Sequence, residues 1–138
     1  MKKFIPFFII CITLLCFSCS NDDDSNSISL HQTWTLRQVS GGLAGINDTF
    51  EQGIITWSFN ETDGTVLVKN NNTDNTLTDI LETGTYPYST SLENGAIKLT
   101  IDGSNYGYIS LTENTLSIDD QAADGFLISF EKHLDPAL

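Results

Sequence analysis

The sequence predicts an all-β domain, built as a single eight-stranded antiparallel up-and-down barrel. Apolar and polar residues alternate along short runs after residue 28, which is the pattern of strands with one buried face. Asp-Gly and Asn-Gly dipeptides separate several runs, and these pairs favour tight hairpin turns. No run has convincing helical periodicity, so a helical or mixed fold is not indicated.

The first half of the domain contains four predicted strands and two long links. The strands are "TWTLRQV" (33–39), "IITWSFN" (54–60), "TVLVK" (65–69) and "TYPYS" (85–89). Their predicted inward-facing residues are Trp34, Leu36, Ile55, Trp57, Phe59, Val66, Val68, Tyr86 and Tyr88. Residues 40–53 form a long link, whose glycine-rich part "GGLAG" (41–45) is expected to form a flexible lid or an Ω-type loop. The link 70–84 is expected to form one helical turn from Thr78.

The second half contains four more strands joined by short turns. They are "AIKLTI" (96–101), "YGYISL" (106–111), "LSI" (116–118) and "FLISFEK" (126–132). Alternation places Tyr106 and Tyr108 on the outward face. The predicted inward-facing residues are Ile97, Leu99, Ile101, Ile109, Leu111, Leu116, Ile118, Phe126, Ile128 and Phe130. Short links favour a barrel of sequential neighbours, and a two-sheet sandwich is the alternative.

The amino terminus predicts export. Lys2 and Lys3 precede an apolar run over 4–17, which is too short to span a bilayer of about 30 Å. This arrangement is typical of a cleaved signal peptide, here residues 1–18. The small Ser18 before Cys19 resembles a bacterial lipobox, which implies lipidation of Cys19 and a membrane partner through that lipid. An ordinary signal peptide is the alternative.

Residues 19–28 predict a flexible acidic tether, because the stretch "SNDDDSNS" contains no apolar residue to bury. Asp22–Asp24 resemble the export signal of surface lipoproteins in Bacteroidota, with a merely solvated tether as the alternative. The expected location is therefore the outer membrane, lipid-anchored, at the cell surface. The barrel domain is expected to occupy residues 29–134.

The charge of the chain argues against a nucleic-acid partner, and the positions of its cysteines leave none in the domain. The chain has six basic and eighteen acidic residues, and without Lys2 and Lys3 the net charge is −14. Four scattered bases cannot form the basic patch that nucleic acid requires, so no nucleic-acid partner is expected. Cys11, Cys16 and Cys19 all lie at the amino terminus, which leaves the domain without a cysteine.

No catalytic residue, cofactor or metal site is predicted, and the chain is not expected to be an enzyme. His31 and His133 lie at opposite ends of the domain sequence and read as solvated residues. Asp119, Asp120 and Asp124 lack the spacing of a calcium loop and read as a turn. A nucleophile elbow and a phosphate-binding glycine loop are absent from the sequence.

The Trp34 position, the glycine-rich first loop, "ITWSFN" and "GTYPYS" resemble the lipocalin-like, or calycin, lipoproteins of Bacteroidota over residues 29–133. Gln32 in "LHQTW" stands where that family usually has glycine. The resemblance implies a barrel that binds a small apolar or amphipathic ligand. In calycins a basic residue near the last strand commonly packs across the first-strand tryptophan, which implies that Lys132 lies over Trp34; a solvated terminal lysine is the alternative.

A ligand cavity and a filled core are both compatible with this sequence, because the inward-facing residues are nearly all large. If a cavity exists, its expected lining is Tyr86, Tyr88, Trp57 and Phe59, with the tyrosine hydroxyls as polar groups. Pro87 cannot donate to a strand ladder and predicts a local gap beside that strand, or a simple bulge. With a filled core, the domain would be a structural or interaction module of the envelope.

Overall fold

The computed structural model describes residues 29–135, so the predicted signal peptide, Cys19 and the tether lie outside it. No helix in this range is long and apolar enough to cross a membrane. A three-residue 3-10 helix, Gln121–Ala123, precedes the last of nine strands. The strands are β1 (Thr33–Gly41), β2 (Ile46–Thr49), β3 (Ile55–Asn60), β4 (Thr65–Asn70), β5 (Gly84–Glu93), β6 (Ala96–Ile101), β7 (Ser104–Leu111), β8 (Thr115–Asp119) and β9 (Phe126–Lys132).

Eight of the strands form a closed antiparallel up-and-down barrel, which confirms the predicted fold class. β3 to β9 pair in sequence order, β3 pairs with β1, and β9 closes the circle by pairing with β1. The closing ladder runs from Trp34–Lys132 to Gly41–Phe126. Because the strands form one circle, the sandwich alternative is wrong.

The ninth strand, β2, lies in the link 40–53, where no strand was predicted, and residues 42–45 of the glycine-rich part form the turn before it. β1 is longer than predicted, and β3 pairs only with its first part, Thr33–Thr35. The rest of that edge, from Gln38 to Gly41, pairs with β2 in a hairpin outside the barrel. An unpaired edge exposes backbone donors and acceptors, and β2 satisfies them here.

The predicted inward-facing residues all belong to the core or pack against it. Fourteen are buried, and Tyr86, Tyr88, Ile97, Leu111 and Phe126 are partly buried against the others. Val39 joins the core because a bulge between Leu36 and Gln38 shifts the alternation of β1 by one residue. Leu30 and Phe50, both outside the barrel strands, complete the core.

Tyr106 faces inward, and its predicted outward orientation is wrong. The β6–β7 register shifts between Leu99 and Thr100, so that Leu99 pairs with Gly107 and Thr100 with Asn105. Tyr106 is the extra residue of this bulge and packs against the core. Gly107 has a φ of 110°, a conformation that glycine adopts at little cost.

Two smaller predictions are also wrong. The segment from Thr78 contains no helical turn; instead Asn70 and Asn72 donate side-chain hydrogen bonds to the Asp79 carboxylate, and such local bonds compete with helix formation. His133 is not solvated but half-buried, because its Nδ1 is hydrogen-bonded to Thr35 Oγ1 at 2.9 Å. Thr35 is fully buried although it points out of the barrel.

Candidate functional site

The barrel has two ends with different coverings. We call the end where β1 begins the base, and the end where β1 finishes the mouth. At the base, Leu30 is 2% exposed and lies over the core. Its backbone N–H donates to Glu61 Oε1 at 2.6 Å, and its carbonyl accepts from Trp34 Nε1 at 3.4 Å. The base is therefore plugged by the segment that precedes β1.

The mouth contains a cavity of about 450 Å³. Its walls combine an apolar side with a polar side, which is the usual composition of a small-molecule site. The apolar residues come from the 71–83 link and β9, and the polar ones from β7 and the loop 120–125. The lining residues are Thr78, Ile80, Ser104, Asn105, Tyr106, Asp120, Gly125, Phe126 and Ile128.

The loop 120–125 holds the Asp120 carboxylate in this wall. The Asp120 carbonyl accepts hydrogen bonds from the N–H groups of Ala123 and Gly125, both at 3.0 Å, and its N–H donates to the Phe126 carbonyl at 2.9 Å. A Cβ on Gly125 would lie 2.6 Å from Asp120 Oδ2, so only glycine leaves the carboxylate in place. Asn105 Nδ2 donates to Asp120 Oδ1 at 3.3 Å.

Tyr106 forms part of the cavity wall and contacts the barrel interior behind it. Its ring meets Trp57 edge-on, with centroids 6.3 Å apart and planes at 73°. Burial, followed by the nearby Tyr86 and Asp102, raises the pKa of the Tyr106 hydroxyl. The hydroxyl therefore favours its neutral form, in which it can both donate and accept a hydrogen bond.

Trp57 lies in the filled part of the barrel. Its ring packs on Phe130 at 4.9 Å and on Phe59 at 6.3 Å. The side chain is fully buried, yet its Nε1 has no hydrogen-bond partner. A buried unpaired donor costs about 1–3 kcal/mol, so an acceptor that reached it would be stabilised.

The four residues predicted to line a ligand cavity do not meet in one cavity. Trp57 and Phe59 are core residues. The Tyr88 ring meets Phe59 edge-on at 5.0 Å and lines a separate cavity of about 300 Å³ at the base, beside Leu30 and Glu61. Burial, and then the Glu61 charge, raises the pKa of Tyr88. Tyr86 donates its hydroxyl hydrogen to the Glu82 carbonyl at 3.0 Å.

Pro87 lies where β5 changes partners. Gly84–Pro87 pair with β4, whereas Tyr88–Glu93 pair with β6. The Pro87 carbonyl accepts from the Asp102 N–H at 2.8 Å, beyond the end of the β6 ladder. The predicted gap beside this strand therefore corresponds to a change of partner, with no β6 residue paired to 84–87.

Trp34 and Lys132 are direct cross-strand partners in the β1–β9 ladder. Lys132 is exposed and Trp34 is fully buried. The aromatic contacts found in residues 29–135 join Trp57 and Phe59 to other rings, and a Lys132–Trp34 pair is not among them. The strand pairing is as predicted, and the stacking of the ammonium on the indole stays a prediction.

Comparisons of the chain with protein-family models, with curated proteins and with solved structures find no match.

The described residues contain no group of three or more His, Cys, Asp or Glu side chains placed to hold a metal ion. Asp120 lines the mouth, while Asp119 Oδ1 accepts from the Gln121 N–H at 2.9 Å. The mouth is therefore the candidate site that the geometry itself supplies.

Sequence reasoning missed Tyr106, Asp120 and Ile80 as lining residues. One signal for Tyr106 was present, because a glycine inside a strand pattern often marks a bulge, and Gly107 follows it directly. The position of Ile80 could not be predicted from the sequence, because its φ of 68° depends on how the 71–83 link folds over the barrel.

Proposed function

We propose that this chain is a lipid-anchored envelope protein whose lipocalin-like barrel binds a small apolar or amphipathic molecule at its mouth, without catalysing a reaction. The observation that carries the proposal is the mouth cavity, whose lining combines the apolar Ile80, Phe126 and Ile128 with the polar Ser104 and Asn105. A volume of about 450 Å³ lies within the range of about 300–1,000 Å³ typical of ligand pockets.

The position of Ser29 supports the anchored arrangement. Ser29 lines the cavity at the base, so a tether over 19–28 would leave the barrel from the end opposite the mouth. Ten extended residues span at most about 33–36 Å. With Cys19 lipidated, the base would face the membrane and the mouth would face away from it, open to solutes.

The second candidate function is a structural or interaction module of the envelope. The filled interior favours it, because Trp57, Phe59 and Phe130 are buried and pack on one another in the core. Under this alternative the mouth cavity would be a surface depression without an occupant.

A pair of tryptophan substitutions on one strand separates the two functions. Ser104 and Ser110 are both exposed on β7, but Ser104 lines the mouth and Ser110 does not. Native mass spectrometry of protein purified from its own host should show a bound small molecule in the wild type. S104W, which fills the mouth, should lose this adduct, and S110W should keep it. A wild-type protein free of adducts would favour the second function, and an adduct retained by S104W would contradict binding at the mouth.

A further inference from the structure

The mouth is acidic as well as amphipathic. Its lining contains one carboxylate, on Asp120, and no lysine or arginine. We infer that the ligand is a cationic amphiphile, an amine carrying an alkyl or aryl group, whose ammonium binds Asp120 while its apolar part lies against Ile80, Phe126 and Ile128. This inference rests on the proposed function and adds the charge of the ligand.

The Asp120 carboxylate has acceptor capacity for a ligand. Among the described residues, the hydrogen bond from Asn105 Nδ2 at 3.3 Å is the one made to this carboxylate. An ionised carboxylate has two oxygens and about four acceptor positions. Asn105 is itself fixed, because its Oδ1 accepts from the Gly107 N–H at 3.2 Å. The two side chains thus hold a preformed acceptor at the polar wall.

A cationic amphiphile also requires an aromatic or apolar surface near its charge, and the mouth supplies one. Tyr106 lines the same cavity and presents an aromatic ring, which attracts a cation within about 6 Å of its centre. The Asp102 charge acts on Tyr106 and adds to the negative potential near the ring. A carboxylate ligand would meet the like charge of Asp120 in this lining, whereas an ammonium ion would meet an opposite one.

None of the basic residues of the described chain is among the lining residues of the mouth. Arg37 donates to the Phe50 carbonyl at 2.8 Å and pairs with Glu131 at 3.2 Å on the outside of the barrel. Lys98 pairs with Glu93 at 3.3 Å. Lys69 lies near the mouth end of β4, but it is exposed and does not line the cavity. Lys132 lies at the base. With a chain net charge of −12, long-range attraction favours cations.

Three six-carbon probes test the inference by isothermal titration calorimetry of the full-length chain: hexylamine, hexanol and hexanoate. They share the alkyl group and differ in the charge of the head. We expect hexylamine to bind one site about ten- to a hundredfold more tightly than hexanol, as for a charge-assisted hydrogen bond. Hexanoate should bind more weakly than hexanol.

Two variants with the same loss of charge separate the site from the general acidity of the protein. D120N should reduce the hexylamine affinity to that of hexanol and leave the hexanol affinity unchanged. E113Q removes a charge from the exposed β7–β8 turn at the base and should retain the preference. Equal affinity for hexylamine and hexanol, or an equal loss in both variants, would overturn the inference and leave the binding function intact. If no probe binds, the binding function fails with it.

Discussion

Trp57 and Tyr106 meet edge to face with ring centroids 6.3 Å apart, and this contact joins the filled interior of the barrel to its mouth. Trp57 belongs to the fully buried core, whereas Tyr106 lines the cavity. The contact exists because the bulge in β7 turns Tyr106 inward. A ligand at the mouth would therefore sit on a wall that the core supports.

Replacing Trp57 by alanine should destabilise the fold strongly. The side chain is fully buried among Phe59, Tyr106 and Phe130, so its loss leaves a large cavity. We expect the free energy of unfolding to fall by about 3–5 kcal/mol, measured by equilibrium urea denaturation. Lys69→Ala, on the exposed face of the neighbouring β4, should stay within about 0.5 kcal/mol. Equal losses at the two positions would contradict the inward orientation of Trp57.

The alternation of apolar residues was sufficient to predict the eight barrel strands and most of their inward-facing residues. Ile55, Trp57 and Phe59 on β3 illustrate why, because an uninterrupted strand repeats every two residues and the core must bury its apolar side. Closure between β1 and β9 followed from the short links, since sequential hairpins leave the first and last strands as neighbours.

Alternation fails where a strand gains one residue. The bulge after Leu36 places Val39 in the core, and the bulge at Tyr106 brings that ring to the mouth. Each bulge depends on the register with a neighbouring strand, which a single strand's pattern does not contain. The mouth was therefore harder to predict than the core, because Tyr106 and Ile80 reach it through irregular backbone.

The two inward-facing tyrosines with raised pKa values should make the fold sensitive to alkali. The pKa of Tyr106 and of Tyr88 is higher in the folded chain than the ordinary value of 10.0, chiefly because of burial. Ionisation of either hydroxyl therefore favours the unfolded chain. Their contribution to stability should be fully present below about pH 10 and be lost as the pH rises through the folded pKa.

Equilibrium urea denaturation over a series of alkaline pH values measures this dependence. Tyr106→Phe and Tyr88→Phe should each make the decline in unfolding free energy above about pH 10 less steep. Tyr108→Phe is the matched control, since Tyr108 lies on the exposed face of β7 with 38% of its surface accessible. An unchanged decline in the Tyr106 variant would show that this hydroxyl is as well hydrated in the folded chain as in the unfolded one.

Lipidation of Cys19 is open to a direct test in the host. Cys19→Ala should move the protein from the outer-membrane fraction to the soluble envelope fraction, because the variant would lack the proposed lipid anchor. Cys16→Ala, three residues earlier, should leave the fractionation unchanged. Replacing Asp22–Asp24 with alanine should reduce cleavage by external protease at constant total amount. A Cys19→Ala protein that still floats with the membrane would contradict the lipobox.

The bulge at Gly107 should tolerate no side chain. A Cβ there would lie 2.3 Å from the Asp119 carbonyl oxygen, and the φ of 110° is itself unfavourable for other residues. Conformational strain of about 1–2 kcal/mol and overpacking of about 1–3 kcal/mol should together lower the unfolding free energy of Gly107→Ala by about 2–5 kcal/mol. Gly45→Ala carries similar backbone strain, with a φ of 63°, but meets nothing within 4 Å. It should therefore lose only about 1–2 kcal/mol in the same urea denaturation. The bulge also orients Tyr106, which lines the mouth. A Gly107→Ala protein that folds should therefore lose hexylamine binding, whereas Gly45→Ala should keep it. Equal stability of the two variants would mean that β7 pairs with β8 without the close approach at Asp119.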